Sequence, residues 1–291
     1  MCVTAPMDGW ATELLHENFR LSLRATRLIY SGSTAFQTIR IFENPRFGRV
    51  LMLDNAIQLT EADEFIYHEM LAHVPLLAHG SARRVLLIGG GDGGLAREVL
   101  RHRTVERLAM VEIDSSVIDL AKAYLPAVSR GAFEDPRLEI VISDGADYLA
   151  TATEQFDVAI VDSPDPVGPG AALFTDEFYA AVARRLDAAG ILVTQTGMPF
   201  AQPDELRNTM RAFRALFTDA ACYLATVPTY SGGPMVFSWG TDGAARQVPL
   251  STLEARLAAS GIVPRYYTPE VHKAAFALPA YVGAIAAGRS V

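Results

Sequence analysis

The alternation of apolar and polar positions changes character twice along the chain. From Phe36 to Thr60, FQTIRIFENPRFGRVLMLDNAIQLT gives short β-rich runs broken by ENPRFG and LDN, which carry the Gly, Pro, Asn and Asp of hairpin turns. A small antiparallel sheet is expected there. The next stretch, EADEFIYHEMLAHVPLLAHG, sets Phe65, Met70, Leu71 and Val74 near helical spacing and closes on Gly80, so it predicts a helix. Beyond it the runs VLLIG, RLAMVEID, LEIVISD, FDVAIVDS and GILVTQTG alternate with helical stretches such as SSVIDLAKAYL and TDEFYAAVARRLD. Apolar strands separated by helices make βαβ units, hence a mostly parallel, doubly wound α/β sheet. CYLATVP and PMVFSWG lie close together and predict an antiparallel pair at its edge. The expected organisation is an N-terminal β-sheet domain over 1–62, a linking helix over 63–80 and an α/β domain over 81–291.

Composition mainly excludes. Half of the 291 residues are apolar, enough for a sizeable core, and the formal net charge is −8, from 25 Lys and Arg against 33 Asp and Glu. With no long basic run, that balance argues against nucleic acid and anionic membrane surfaces as partners but suits cationic ligands. The two cysteines, Cys2 and Cys222, form no CxxC pair or Cys/His cluster, so neither a disulfide framework nor a zinc site is indicated. His68 and His73 lie five residues apart and do not share a helix face as metal ligands would; His73 is expected to be structural. The N-terminal stretch lacks a basic start followed by an apolar run, and no window approaches the length of a membrane span. The cytoplasm is the expected location.

In a doubly wound sheet the ligand sits outside the carboxyl ends of the strands. Here those ends are acidic: GGGDGG brings Asp92, EID brings Glu112 and Asp114, SDG brings Asp144, and DSPD brings Asp162 and Asp165. Glu112 stands twenty residues after Asp92, where a carboxylate accepts hydrogen bonds from a ribose; it indicates a ribose without saying which nucleotide. Asp144 suits either a helix N-cap or an acceptor for an adenine amino group. The proline-rich DSPDPVGP reads as a stiffened loop at the crevice mouth, and DSPDPVGPGAALF as a gate that orders over bound substrate.

A carboxylate among loop glycines is the informative departure. A pyrophosphate beside Asp92 would meet like-charge repulsion, which disfavours dinucleotides. Methyltransferases of this topology usually place the acid before the glycines, whose amides receive the carboxylate of S-adenosylmethionine; the equivalent positions here are Leu87 and Ile88. Asp92 would repel that carboxylate and attract an ammonium group. The ligand that fits is a sulfonium nucleoside with an amine tail and no carboxylate, decarboxylated S-adenosylmethionine.

The segments DEFIYHEMLAHVPLLAHG, IGGGDGG, MVEID, DPVGPGAALF, PTYSGG and YYTPEVHKAAFALPAYV together resemble the polyamine aminopropyltransferases, the bacterial type of spermidine synthase, from about Trp10 to Tyr281. The resemblance implies a Rossmann-like, methyltransferase-type sheet. It also implies transfer of an aminopropyl group from decarboxylated S-adenosylmethionine, a co-substrate, to putrescine, without a metal or other cofactor, in a homodimer. By position it places Gln37, Glu112, Ile113, Asp144, Gly145 and Pro169 around the methylthioadenosine moiety, and His68 and Asp92 around the aminopropyl and amine groups. Asp162 matches the proton acceptor, set beside Tyr230, while Tyr67, Ser163, Asp165, Gln195 and Tyr230 match the acceptor-amine site. Pro164 stands where the family commonly has threonine, and Gly232 and Gly233 where bulkier residues often occur. The acceptor therefore stays open among putrescine, cadaverine, agmatine and spermidine. An S-adenosylmethionine-dependent methyltransferase and a catalytically silent polyamine-binding protein are the alternative readings.

Overall fold

The computed structural model describes residues 9–16, 18–163, 168–230 and 232–289. The chain begins with an antiparallel hairpin, β1 (Trp10–His16) and β2 (Phe19–Arg24). A four-stranded antiparallel meander follows: β3 (Arg27–Ser33), β4 (Thr38–Asn44), β5 (Gly48–Leu53) and β6 (Ala56–Thr60). Both expected turns are present. Asp54 and Asn55 carry φ of 46° and 69° between β5 and β6, a conformation that these short polar side chains tolerate and that matches strand twist.

Helix α1 (Glu64–His79) ends where its sequence says: Gly80 takes φ of 81° and its N–H caps the carbonyl of Leu76. Its residues are buried nearly all round because it packs against α2 (Gly94–Leu100) and against strands of the large sheet.

The large sheet has seven strands. In chain order they are β7 (Arg84–Gly89), β8 (Arg107–Glu112), β9 (Leu138–Ile142), β10 (Phe156–Asp162), β11 (Leu186–Gln195), β12 (Asp219–Ala225) and β13 (Met235–Thr241). In space the order is β12-β13-β11-β10-β7-β8-β9, with β7 to β11 parallel and β13 antiparallel to both β11 and β12. This is the doubly wound α/β sheet with a small antiparallel sheet that the pattern predicts. Alternate residues of one strand enter different cores: Val85 and Leu87 pack with α1 and α2, Leu86 and Ile88 with Phe178, Tyr179 and Phe213 on the other face. The winding reverses between β7 and β10, where Gly89 pairs with Asp162, and a crevice opens at such a switch point. Part of the expected gate, 164–167, lies outside the described residues. Among the described residues no helix is long and apolar enough to cross a membrane.

Candidate active site

At the carboxyl ends of β7, β8, β9 and β10 lies a cavity of about 800 Å³, lined by Gln37, Tyr67, His68, Asp92, Glu112, Ile113, Asp144, Gly145, Asp162, Ser163, Gln195 and Tyr230, among others. Twelve of the fourteen expected residues therefore meet in one place. Asp165 and the side chain of Pro169 fall outside the described residues. The described lining carries eight carboxylates, from Glu13, Asp54, Asp92, Glu112, Asp144, Asp162, Asp204 and Glu205, and no Lys or Arg.

The loop after β7 turns sharply, with φ of 86°, 79° and 79° at Gly89, Gly90 and Gly93, and the N–H of Gly93 returns to the carbonyl of Gly90 at 2.9 Å. Asp92 folds back within it, its Oδ1 accepting from the N–H of Gly94 at 2.7 Å. The same oxygen lies 3.6 Å from Nε2 of His68, on α1.

Asp162 ends β10. The hydroxyl of Tyr67 donates to its Oδ1 at 2.7 Å. Tyr230, expected beside Asp162, lies close enough to feel its charge, while its hydroxyl donates to the carbonyl of Gln58 in β6 and its ring stands edge-on to that of Tyr67 at 5.9 Å. Burial and the charge of Asp92 push the Asp162 carboxyl up to about 6, against opposing contributions from His68 and Tyr67. Gln195 also differs in detail from an open ligand group: its Nε2 donates to the carbonyl of Ser163 at 2.9 Å and its Oε1 accepts from the N–H of Gly197 at 2.8 Å, so it shapes the wall. The buried Ser163 hydroxyl has no hydrogen-bond partner among the described residues.

On the other side, Glu112 accepts from the N–H of Asp114 at 3.0 Å, and burial pushes its carboxyl up to about 7. Asp144 is an N-cap, its Oδ1 accepting from the N–H of Ala146 at 2.7 Å, while still lining the cavity.

Sequence reasoning missed how these groups are held. Asp114, in the sequence only a strand-end acid, accepts on Oδ2 from Gln37 Nε2 at 3.1 Å and from the Thr34 hydroxyl at 2.7 Å, fastening the small sheet to the end of β8. Glu64 holds His68 from below, Oε2 to Nδ1 at 2.6 Å, and only the four-residue spacing in EFIYH hinted at it.

His68, Asp92 and Asp162 bring donor atoms within 4.8 Å of one another. An imidazole with a carboxylate at each nitrogen is a proton donor on both sides, which leaves neither nitrogen a lone pair for a metal. A second convergence, His79 with Asp157 and Asp187, sits at the far end of the strands, with Asp157 Oδ2 engaged by the N–H groups of Arg83 and Arg84.

Residues 64–249 match the family model described as the spermine/spermidine synthase domain, and residues 9–61 the one described as the spermidine synthase tetramerisation domain. A polyamine aminopropyltransferase of Ruegeria sp. (strain TM1040) is 61% identical over 276 residues, 94% of this chain and 97% of the relative. Polyamine aminopropyltransferase 1 of Pseudomonas aeruginosa is 54% identical over 271 residues, 93% of this chain and 95% of the relative. Among solved structures, spermidine synthase in complex with the transition state analogue AdoDATO superposes with a TM-score of 0.91 at 39% identity, over 99% of this chain and 98% of that one. Spermidine synthase from Thermotoga maritima superposes with a TM-score of 0.88 at 38% identity, over 99% and 97%. In sequence and in fold, the chain belongs to the spermine/spermidine synthase family.

Proposed function

We propose that this chain is a polyamine aminopropyltransferase that moves the aminopropyl group of decarboxylated S-adenosylmethionine to putrescine, giving spermidine and methylthioadenosine. The observation that carries the reading is the described lining, with eight carboxylates and no Lys or Arg, around a glycine loop that holds Asp92. That lining suits a sulfonium, a primary ammonium and a diamine, and opposes a carboxylate or a phosphate.

A free alkyl ammonium with a pKa near 10 has no lone pair at neutral pH, so the acceptor must lose a proton as it attacks. In the proposed step the amine nitrogen forms a bond to the propyl carbon next to sulfur, the C–S electrons return to sulfur, and a neutral thioether departs. Asp162 takes the proton and Tyr67 fixes the carboxylate's orientation. The leaving group is already activated as a sulfonium, so the step needs positioning and acid–base help, without a metal or a cofactor. Glu112 and Gln37 hold the ribose; Asp144, Ile113 and Gly145 border the adenine; Asp92, backed by the His68 ring, meets the aminopropyl amine. Product analysis with decarboxylated S-adenosylmethionine against putrescine, cadaverine, agmatine and spermidine tests this; transfer to none of them sinks it and favours a silent binding protein.

Asp92→Asn is expected to shrink the preference for decarboxylated S-adenosylmethionine over S-adenosylmethionine by roughly tenfold or more, because an amide neither attracts ammonium nor repels carboxylate strongly. Calorimetry with both nucleosides checks it. Equal affinities in the unmodified protein would revive the methyltransferase reading.

Glu112 supplies a pH prediction. Ribose hydroxyls favour its ionised form, so nucleoside binding near neutral pH should expel a proton and weaken by roughly tenfold from pH 8 to pH 6. Calorimetry in buffers of different ionisation enthalpy reads the proton directly. Glu112→Gln should bind more weakly at pH 8 and lose the pH dependence.

A homo-oligomer, with the dimer as its smallest unit, belongs to the same proposal, as does the cytoplasm as its location. The hairpin β1–β2 exposes Trp10, Leu14 and Phe19 at 55%, 58% and 45%, within the stretch that matches the tetramerisation domain.

A further inference from the structure

The His68 ring lies between two carboxylates, Glu64 Oε2 at 2.6 Å from Nδ1 and Asp92 Oδ1 at 3.6 Å from Nε2. A neutral imidazole would turn a lone pair towards one of them; a doubly protonated one serves both. Glu64 is itself fixed. Arg97 grips it with Nη1 at 3.1 Å and Nη2 at 2.9 Å, and Arg97 is held in turn by Glu98 Oε1 at 2.8 Å and by the carbonyl of Val128. Glu64, His68, Arg97 and Glu98 are buried, with Glu64 and His68 each 3% exposed, and Asp92 is half-buried. Gly94 makes room for the arrangement, since a Cβ there would stand 2.3 Å from the ring's Cε1.

We propose that Glu64, clamped by Arg97, is a positioning residue for the transfer reaction: it keeps His68 a cation against Asp92, and that cation holds Asp162 ionised and ready to accept the amine proton. The inference rests on Asp162 as the proton acceptor. Glu64 does not line the cavity and reaches the site only through His68.

Among the described residues the groups facing His68 are few. On its own helix are Glu64 and Tyr67; from the glycine loop comes Asp92, from α2 Arg97, and from the end of β10 Asp162. Tyr67, and Tyr230 behind it, are phenols whose ionisation is pushed well up by burial, so they stay neutral. Burial opposes the charge on His68, but Asp92 and Glu64 outweigh burial and Arg97, and the imidazole is pushed up to about 9. At Asp162 burial and Asp92 favour the protonated acid, and the His68 cation opposes them. Removing that cation therefore makes the base harder to ionise.

The experiment is the pH profile of kcat/KM for the amine, at saturating nucleoside so that Glu112 does not contribute, from pH 5 to pH 9.5 for the unmodified enzyme, Glu64→Gln and His68→Gln. Both variants should move the acidic limb upward by about one pH unit, with a roughly tenfold loss near pH 6 that recovers by pH 9, and the double variant should move it no further. A role in packing alone would lower the whole profile without moving the limb. An unmoved limb in a folded Glu64→Gln overturns the proposal. If Glu64→Gln does not fold, His68→Gln decides: a raised limb supports the proposal and an unmoved one overturns it. Asp162→Asn separates the underlying reading, since an acidic limb that persists in it removes Asp162 as the base, whatever Glu64 does.

Discussion

Asp162→Asn is expected to slow the aminopropyl transfer step by about 10²–10⁴-fold, the usual span for a lost general base, while nucleoside affinity stays near that of the unmodified protein. The amide keeps the shape and can still meet the Tyr67 hydroxyl, but it cannot take a proton from an alkyl ammonium. The ionised carboxylate that the step needs becomes scarce as pH falls through about 6, so the acidic limb of the unmodified enzyme should lie there and vanish in the variant. Single-turnover kinetics at saturating nucleoside and amine, with nucleoside affinity measured separately, test both statements. A chemical rate close to that of the unmodified protein would mean that the proton leaves another way, with Tyr67 the nearest phenol.

Gly89→Ala is expected to damage both stability and turnover. Gly89 pairs with Asp162 across the switch point, at φ of 86°, and a Cβ there would lie 2.1 Å from the backbone carbonyl oxygen of Asp162. No rotamer change relieves a clash with backbone, so the end of β10 must move and take Asp162 with it. Strain of this kind costs about 1–3 kcal/mol before the clash is counted, which corresponds to a fall in Tm of several degrees. Gly283→Ala is the matched control, because a Cβ there meets nothing within 4 Å and the position is helical. Thermal melts of the two variants and kcat/KM of Gly89→Ala check this; a Gly89→Ala protein as stable and as active as Gly283→Ala would refute it.

The parallel strands were legible because each is an apolar run closed by a polar residue, and burial on both faces demands that composition. The acidic strand ends were legible for the same reason: once the strands are placed, Asp92, Glu112, Asp144 and Asp162 must share one crevice. The β1–β2 hairpin was not. In β1 the exposed residues are Trp10, Thr12 and Leu14, while Ala11 and Glu13 are buried, so the apolar positions mark the wrong face. The polar content of α1 was equally opaque. Glu69 is buried because it accepts the N–H groups of Arg265, Tyr266 and Tyr267, some two hundred residues on, and no local pattern encodes such partners. Tyr230 shows the limit of transfer by position: the residue belongs to the site, but which phenol touches Asp162 depends on the reach of Gln58 from the small sheet.

The described cavity wall, which carries carboxylates but no Lys or Arg, has a consequence for turnover. Joining an aminopropyl group to a diamine yields a triamine, so the product leaves with one more positive charge than the acceptor brought. An acid cleft that recruits the acceptor therefore holds the product more firmly, and escape becomes a candidate for the slowest event in the cycle. Added salt screens both, but unequally: it should cost the trivalent product more affinity than the divalent acceptor. Moderate ionic strength is then expected to raise kcat while it raises KM, and the catalytic cycle to be paced by letting go.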